Sequence, residues 1–248
     1  MRPQDLAEAL LALDDPELQR RHLQSNLPLF NPQEISQLVQ ALREGFIQLL
    51  SLSAQRAQYC ADLVAYLFSL TADPAHQAMA DRLQGMVLAI CYGRYQDALL
   101  YYDRAFATYG TLGDDLGQAL VKVTRIWATA HVEGYEQVIA DSTWAAGILT
   151  KLEQWRDLGN LYNNLGWIHS RFGRFREALT ALDTARAIYI SLDEQGKPLL
   201  TNNESNRAFA FYTLGQYKES IAAAERALEL AQALGQTVNM GISSIIWG

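Results

Sequence analysis

Few residues of this sequence could carry out chemistry by themselves. Its histidines and cysteines are His22, His76, His131, His169, Cys60 and Cys91. Catalysis needs groups that converge, but the chain has no HExxH metal motif, and its stretch GTLGDDLGQ lacks the lysine of a phosphate-binding loop. His131 has no carboxylate or cysteine at ligand spacing, and both cysteines lie in apolar helical runs typical of buried free thiols, with a disulfide as the alternative. The sequence predicts no catalytic residue, no metal site and no cofactor.

A group of asparagines is better suited to binding than to catalysis. They lie in GNLYNN, which begins at Gly159, and in a counterpart stretch beginning at Thr201. Asparagine is unfavourable inside a helix because its side chain competes for backbone hydrogen bonds. These residues are therefore costly unless they bind something. The alternative is that they are solvated asparagines near helix starts, where capping is natural.

The composition excludes several classes of protein. The chain of 248 residues is 50% hydrophobic and 19% charged, which indicates a folded protein. Its net charge is −7 and its arginines are spread out, so no basic stripe for nucleic acid is visible. Asp5 and Glu8 precede any apolar run, unlike a signal peptide, and no apolar run of about 18 residues predicts a membrane span. We expect a cytoplasmic protein that binds neither nucleic acid nor membrane.

The elements that must position these residues are revealed by a repeat. The aromatic residues that follow each glycine-containing turn are spaced by 40, 40 and 42 residues: Tyr95, Tyr135, Phe175 and Tyr217. Alanine follows ten residues after each of them and leucine seventeen after: Ala105, Ala145, Ala185 and Ala227, then Leu112, Leu152, Leu192 and Leu234. Such offsets lie on one face of a helix that runs from the aromatic to the leucine, and all three columns are predicted to pack in the core. A second helix fits between copies, so the period predicts stacked helix pairs.

One copy resembles a known repeat family. The segment YNNLGWIHSRFGRFREALTALDTA is similar to the tetratricopeptide repeat at Tyr162, Leu165, Gly166, Gly173, Phe175, Ala178 and Ala185. The usual repeat has 34 residues, whereas this one has about 40, which predicts longer helices and turns. The resemblance implies an all-α fold, a right-handed superhelical solenoid of antiparallel helix pairs.

The period divides the chain into predicted segments. They are short N-terminal helices that form a cap (1–30), a degenerate helix-pair repeat (31–72), four repeats (73–114, 115–154, 155–196 and 197–236) and the first helix of a truncated fifth repeat (237–248). The degenerate repeat opens with Asn31 as helix cap, Pro32 at the first helical position and Glu34 in a capping box. Gly248 would stand mid-helix, so we expect a fragment of a longer protein whose further repeats pack on this end. Docking of a partner or a second copy there is the alternative.

The family resemblance also implies a concave groove that holds a protein or peptide. Carried over by position, the groove residues are Asn160, Asn163, Asn164, Trp167, Arg171, Asn202, Asn206, Phe209, Tyr212 and Trp127. Amides beside aromatic rings suit an extended peptide, because amides pair with its backbone while rings hold its side chains.

The N-terminal region adds a finer resemblance. DDPELQRRHLQSNLPLFNPQEISQLVQAL followed by long repeats is similar to the start of bacterial proteins in which such repeats precede a caspase-like CHAT protease domain. This implies the sensor or partner-recognition region of a larger effector. The alternative is the ligand-sensing repeat region of a transcriptional regulator, and a free-standing enzyme is the least expected.

Overall fold

The structure is a computed structural model and is described for residues 2–234. In that part of the chain it contains twelve α-helices and no strand. The helices are α1 (Pro3–Ala12), α2 (Pro16–Asn26), α3 (Pro32–Leu52), α4 (Ala54–Thr71), α5 (Pro74–Met86), α6 (Tyr95–Thr111), α7 (Asp115–Val132), α8 (Tyr135–Lys151), α9 (Trp155–Arg171), α10 (Phe175–Ser191), α11 (Lys197–Thr213) and α12 (Tyr217–Ala233). A π-helical turn, Val87–Cys91, follows α5, and 3-10 turns occupy Leu27–Leu29 and Asp193–Gln195.

The helices form two compact units. The first, Met1–Val132, contains α1 to α7, and the second, Glu133–Gly248, contains α8 to α12. From α3 onward in the first unit, and throughout the second, each helix packs on the next one along the chain. Short turns make consecutive helices antiparallel, so the predicted all-α, tetratricopeptide-like fold of helix pairs is confirmed. The repeat boundaries stay predictions, and the predicted fifth repeat (237–248) lies outside the described residues.

The helix starts follow from local sequence. At α3 the Asn31 side chain accepts from the Glu34 amide (3.0 Å), and the Glu34 carboxylate accepts from the Asn31 amide (2.9 Å). These two reciprocal bonds confirm the predicted capping box, and Pro32 occupies the first helical position as predicted. These contacts satisfy amides that have no partner inside the helix.

The N-terminal helices bury a small apolar face of their own. Leu6 and Leu10 of α1 are fully buried, and α1 packs on α3. Leu23 of α2 is also fully buried, and α2 packs on α4. The cap predicted for 1–30 therefore shares the core of the first unit.

The alanine column is core, as predicted, but the leucine column is not. Ala105, Ala145, Ala185 and Ala227 are all buried. Leu112 and Leu152 are 46% and 37% exposed, so the prediction that the leucines pack in the core was wrong. Each leucine is the C-cap, one residue beyond the last helical residue. The backbone has left the helix there, and the side chain no longer follows the buried face.

Close crossing of α9 and α10 depends on Gly166. A Cβ added at Gly166 would overlap the Leu182 side chain of α10. The turn between these helices depends on Gly173, whose φ of 71° lies in the left-handed region that favours glycine. Glycine thus brings together the two helices that hold the third predicted repeat.

Candidate functional site

Two neighbouring helices of the second unit, α9 and α11, carry nine of the ten predicted groove residues. On α9, Asn160, Asn164 and Trp167 recur at spacings of four and three residues, which places them on one face. On α11, Asn202 and Asn206 follow the same rule. The two helices contact each other, and α10 packs against both. The predicted residues therefore lie on adjacent first helices of successive helix pairs.

Some of these asparagines already have partners within the protein. The Tyr189 hydroxyl donates to Asn160 Oδ1 at 2.9 Å. Asn163 Oδ1 accepts from Asn203 Nδ2 at 3.2 Å and, more weakly, from Asn206 Nδ2 at 3.4 Å. These amides thus connect α9 to α10 and to α11.

Asn203 is the buried centre of this network, and the groove positions did not include it. Its side chain is 0% exposed, and its Nδ2 also donates to the Leu182 carbonyl at 3.0 Å. Its Oδ1 has no hydrogen-bond partner among the described residues. The repeat spacing did not point to it, because the third and fourth copies are 42 residues apart and Asn203 therefore corresponds to the buried Leu161.

Two predicted asparagines have side chains available to a ligand. Neither Asn164 nor Asn202 forms a side-chain hydrogen bond within residues 2–234, and Asn202 is exposed. An amide offers two N–H donors and a carbonyl acceptor, so each can pair with both groups of a peptide unit.

The predicted aromatic residues of the second unit lie on the same two helices as these amides. The Arg171 guanidinium lies over the Trp167 ring, 5.7 Å from its centre. Phe209 meets the Phe175 ring edge to face at 6.5 Å between centres. Tyr212 is 61% exposed. The surface therefore combines the half-buried rings of Trp167 and Phe209 with the exposed ring of Tyr212. Such rings can contact the apolar side chains of a ligand.

Trp127 is the one predicted residue outside the second unit. It lies on α7, and its carbonyl accepts a hydrogen bond from His131 Nδ1 at 2.7 Å. The imidazole of His131 stacks on the Tyr95 ring, with 3.8 Å between the ring centres. The membership of Trp127 in a common groove stays a prediction.

The histidines and cysteines do not assemble into a site. His169 is half-buried, and its Nδ1 lies 2.9 Å from the Tyr135 hydroxyl. Burial lowers the pKa of His169 below its ordinary value. Cys60 and Cys91 are free thiols. In the part of the chain that is described, no three histidine, cysteine or acidic side chains lie close enough to hold a metal ion.

A charged cluster in the second unit was missed by the sequence analysis. The side chain of Glu204 on α11 is 2% exposed and lies among three arginines. Its Oε1 accepts from Arg186 Nε of α10 at 2.5 Å, and its Oε2 accepts from Arg207 at 2.8 Å and from Arg226 of α12 at 3.2 Å. We call these four residues the arginine cluster.

The arginine cluster keeps a buried carboxylate ionised. Burial by itself would raise the pKa of Glu204, but the hydrogen bond from Arg186 and the charges of Arg207, Arg226 and Arg186 outweigh it. The pKa of Glu204 is therefore held below its ordinary value. No sequence motif marks the cluster, because its members come from three helices.

Comparison with known proteins agrees with this architecture. Two segments, 158–192 and 205–234, match family models described as tetratricopeptide repeat. They fall within the predicted third and fourth repeats. No curated protein matches the chain. No helix among residues 2–234 is both long and apolar enough to cross a membrane.

A solved structure shows the same fold over nearly the whole chain. The crystal structure of BtubC (BKLC) from P. vanneervenii superposes with a TM-score of 0.64, and 93% of each chain is covered. The two sequences are 17% identical, so the similarity concerns the fold alone. The chain therefore contains tetratricopeptide repeats at 158–192 and 205–234 and has the fold of a helical repeat protein.

Proposed function

We propose that this chain is a scaffold that binds a protein or peptide along α9 and α11. The observation that carries the proposal is the pairing of unbonded amides with aromatic rings on adjacent helices. Asn164 and Asn202 have no internal partner, and the same helices carry aromatic rings, Trp167 on α9 and the exposed Tyr212 on α11. Tetratricopeptide repeats generally form non-catalytic scaffolds that bind proteins or peptides.

The asparagines divide into two roles in this proposal. Asn160, Asn163 and Asn203 connect neighbouring helices and hold the surface in shape. Asn164 and Asn202 hydrogen-bond to the backbone of an extended peptide, and the rings contact its side chains. An amide that binds a ligand offsets the cost of asparagine inside a helix.

The test begins with a ligand selected on the wild-type protein. Peptides from a phage-displayed random library are enriched on the full chain, and the affinity of one of them is measured by fluorescence anisotropy. The double variant Asn164→Ala with Asn202→Ala should bind this peptide about thirtyfold more weakly, since two lost hydrogen bonds at about 1 kcal/mol each sum to about 2 kcal/mol. Its stability should not fall, because neither side chain has a partner in the folded protein, and it should rise by up to about 1 kcal/mol because alanine is the better helix former.

Asn160→Ala is the contrasting variant. It leaves the buried Tyr189 hydroxyl without its acceptor and should lower the free energy of unfolding by about 1–3 kcal/mol. Failure to enrich any peptide, or an enriched peptide whose affinity is unchanged in the double variant, would contradict the proposed surface.

The proposed scaffold acts as the partner-recognition region of a larger effector such as a CHAT-type protease. The support is the order of segments at the N-terminus, where the short helices α1 and α2 precede the helix pair α3 and α4. The test is the complete reading frame that carries this chain. A caspase-like domain after the repeats would support the proposal, and a DNA-binding domain would favour the regulator alternative instead.

A further inference from the structure

A cleft lies between α10 and α12, with α11 as its floor. Its volume is about 400 Å³. Its apolar walls include Ile190, Leu200 and Leu230, and its charged residues include Arg186, Arg226 and Glu229. A cleft that combines apolar walls with a few charged groups has the composition of a binding site.

This cleft is separate from the surface formed by α9 and α11. Successive residues of a helix are rotated by about 100°, so residues two apart point in nearly opposite directions. Leu200 and Glu204 line the cleft, whereas Asn202 and Asn206 belong to the proposed peptide surface. The two faces of α11 therefore serve different surfaces.

The three arginines of the arginine cluster have more N–H donors than they use in bonds to Glu204 and Asp183. Arg207 bonds both Glu204 and Asp183, whose Oδ1 lies 2.8 Å from Arg207 Nε. Arg186 and Arg226 share Glu204 as their single carboxylate, and each uses only its Nε. Within residues 2–234 the terminal nitrogens of both have no partner, and Glu229 forms no ion pair with either.

Both carboxylate oxygens of Glu204 have a hydrogen-bond donor other than Arg226. Without it, Glu204 Oε1 still accepts from Arg186 and Oε2 still accepts from Arg207. The side chain of Arg226 is 41% exposed at the cleft, so its terminal nitrogens can reach a ligand. Arg226 can therefore bond a ligand while both oxygens of Glu204 keep a donor.

We propose that the cleft between α10 and α12 is a second docking site, which binds an acidic, apolar peptide segment of a partner protein. A carboxylate side chain of the segment accepts hydrogen bonds from the terminal nitrogens of Arg186 and Arg226, and flanking apolar side chains contact Ile190, Leu200 and Leu230. The occupant follows from the unused terminal nitrogens of Arg186 and Arg226, because guanidinium groups match carboxylates in geometry as well as in charge. The site is independent of the peptide surface on α9 and α11.

The test compares two capped, fluorescein-labelled peptides on the full chain. Each has leucines on both sides of one central residue, which is glutamate in the first peptide and glutamine in the second. The glutamate peptide should bind about tenfold more tightly, as expected for charged hydrogen bonds. In ¹H–¹⁵N spectra, it should shift the Nε–H signals of Arg186 and Arg226, which the glutamine peptide should leave in place.

Variants separate the docking site from the structural cluster. Arg226→Gln should bind the glutamate peptide about tenfold more weakly while keeping the wild-type helical circular dichroism. The control is Arg176→Gln, an exposed arginine of α10 that does not line the cleft, and this variant should bind as the wild type does. Equal binding of both peptides, no binding of either, or undiminished binding by Arg226→Gln would overturn the proposal.

Discussion

Replacing Glu204 by glutamine tests the energetics of the arginine cluster. The substitution keeps the shape of the side chain but removes its charge. Removing one partner of a fully buried ion pair costs about 3–5 kcal/mol. The side chains of Arg186 and Arg226 are 36% and 41% exposed and can hydrate when the carboxylate is lost, whereas Arg207, 12% exposed, keeps Asp183. We therefore expect Glu204→Gln to lower the free energy of unfolding by about 2–3 kcal/mol.

The stability lost in Glu204→Gln should also depend on pH. The pKa of Glu204 in the folded protein lies below its ordinary value of 4.5, so the folded state binds fewer protons than the unfolded state. The stabilisation is therefore fully present above about pH 4.5 and decreases as the pH falls below it towards the folded-state pKa. The difference in stability between wild type and Glu204→Gln should shrink over that range.

The assay is urea unfolding followed by circular dichroism, at neutral pH and at several acidic values. Glu229→Gln is the matched control, because Glu229 is exposed on α12 beside the same cleft and should change stability by no more than about 0.5 kcal/mol. A stability of Glu204→Gln within about 0.5 kcal/mol of wild type at neutral pH would refute the reasoning. A deficit that stays constant as the pH falls through 4.5 would refute the linkage.

Three further predictions concern single sites. Ala185→Leu should destabilise by about 1–3 kcal/mol in urea unfolding, because Ala185 is fully buried and the core cannot hold the extra volume. Gly166→Ala should lower the free energy of unfolding by a similar amount, since its new methyl group would overlap Leu182. An unchanged urea midpoint would show that the crossing of α9 and α10 can relax. Burial raises the pKa of Cys60 to about 12, so iodoacetamide should modify it in the native protein far more slowly than in urea, and equal rates would contradict its burial.

The sequence alone predicted the helix pairs well, because helical periodicity is a local property. The aromatic-to-leucine pattern placed the ends of α6, α8, α10 and α12 within one residue. The capping box at Asn31 could likewise be read directly, since its partners stand three residues apart. Exposure of Leu112 and Leu152 was missed, because a periodic pattern does not show at which residue the backbone leaves the helix.

The candidate sites were predicted less completely. The positions of Asn164 and Asn202 followed from the repeat, but the internal bonds of Asn160 and Asn163 did not. Those bonds join residues 29 and 40 positions apart in the chain, so they depend on which helices become neighbours. The same asparagine type therefore holds the fold at one position and remains available to a ligand at another.

By itself, the sequence determined the period, the helix pairs and the face on which the asparagines recur, because each is a pattern of residue types along the chain. The tertiary structure decided which asparagines are already bonded, and it brought Arg186, Glu204 and Arg226 together from three helices. The physical reason is that a buried carboxylate needs several donors at once, and only packed helices bring donors that are distant in sequence within hydrogen-bonding distance.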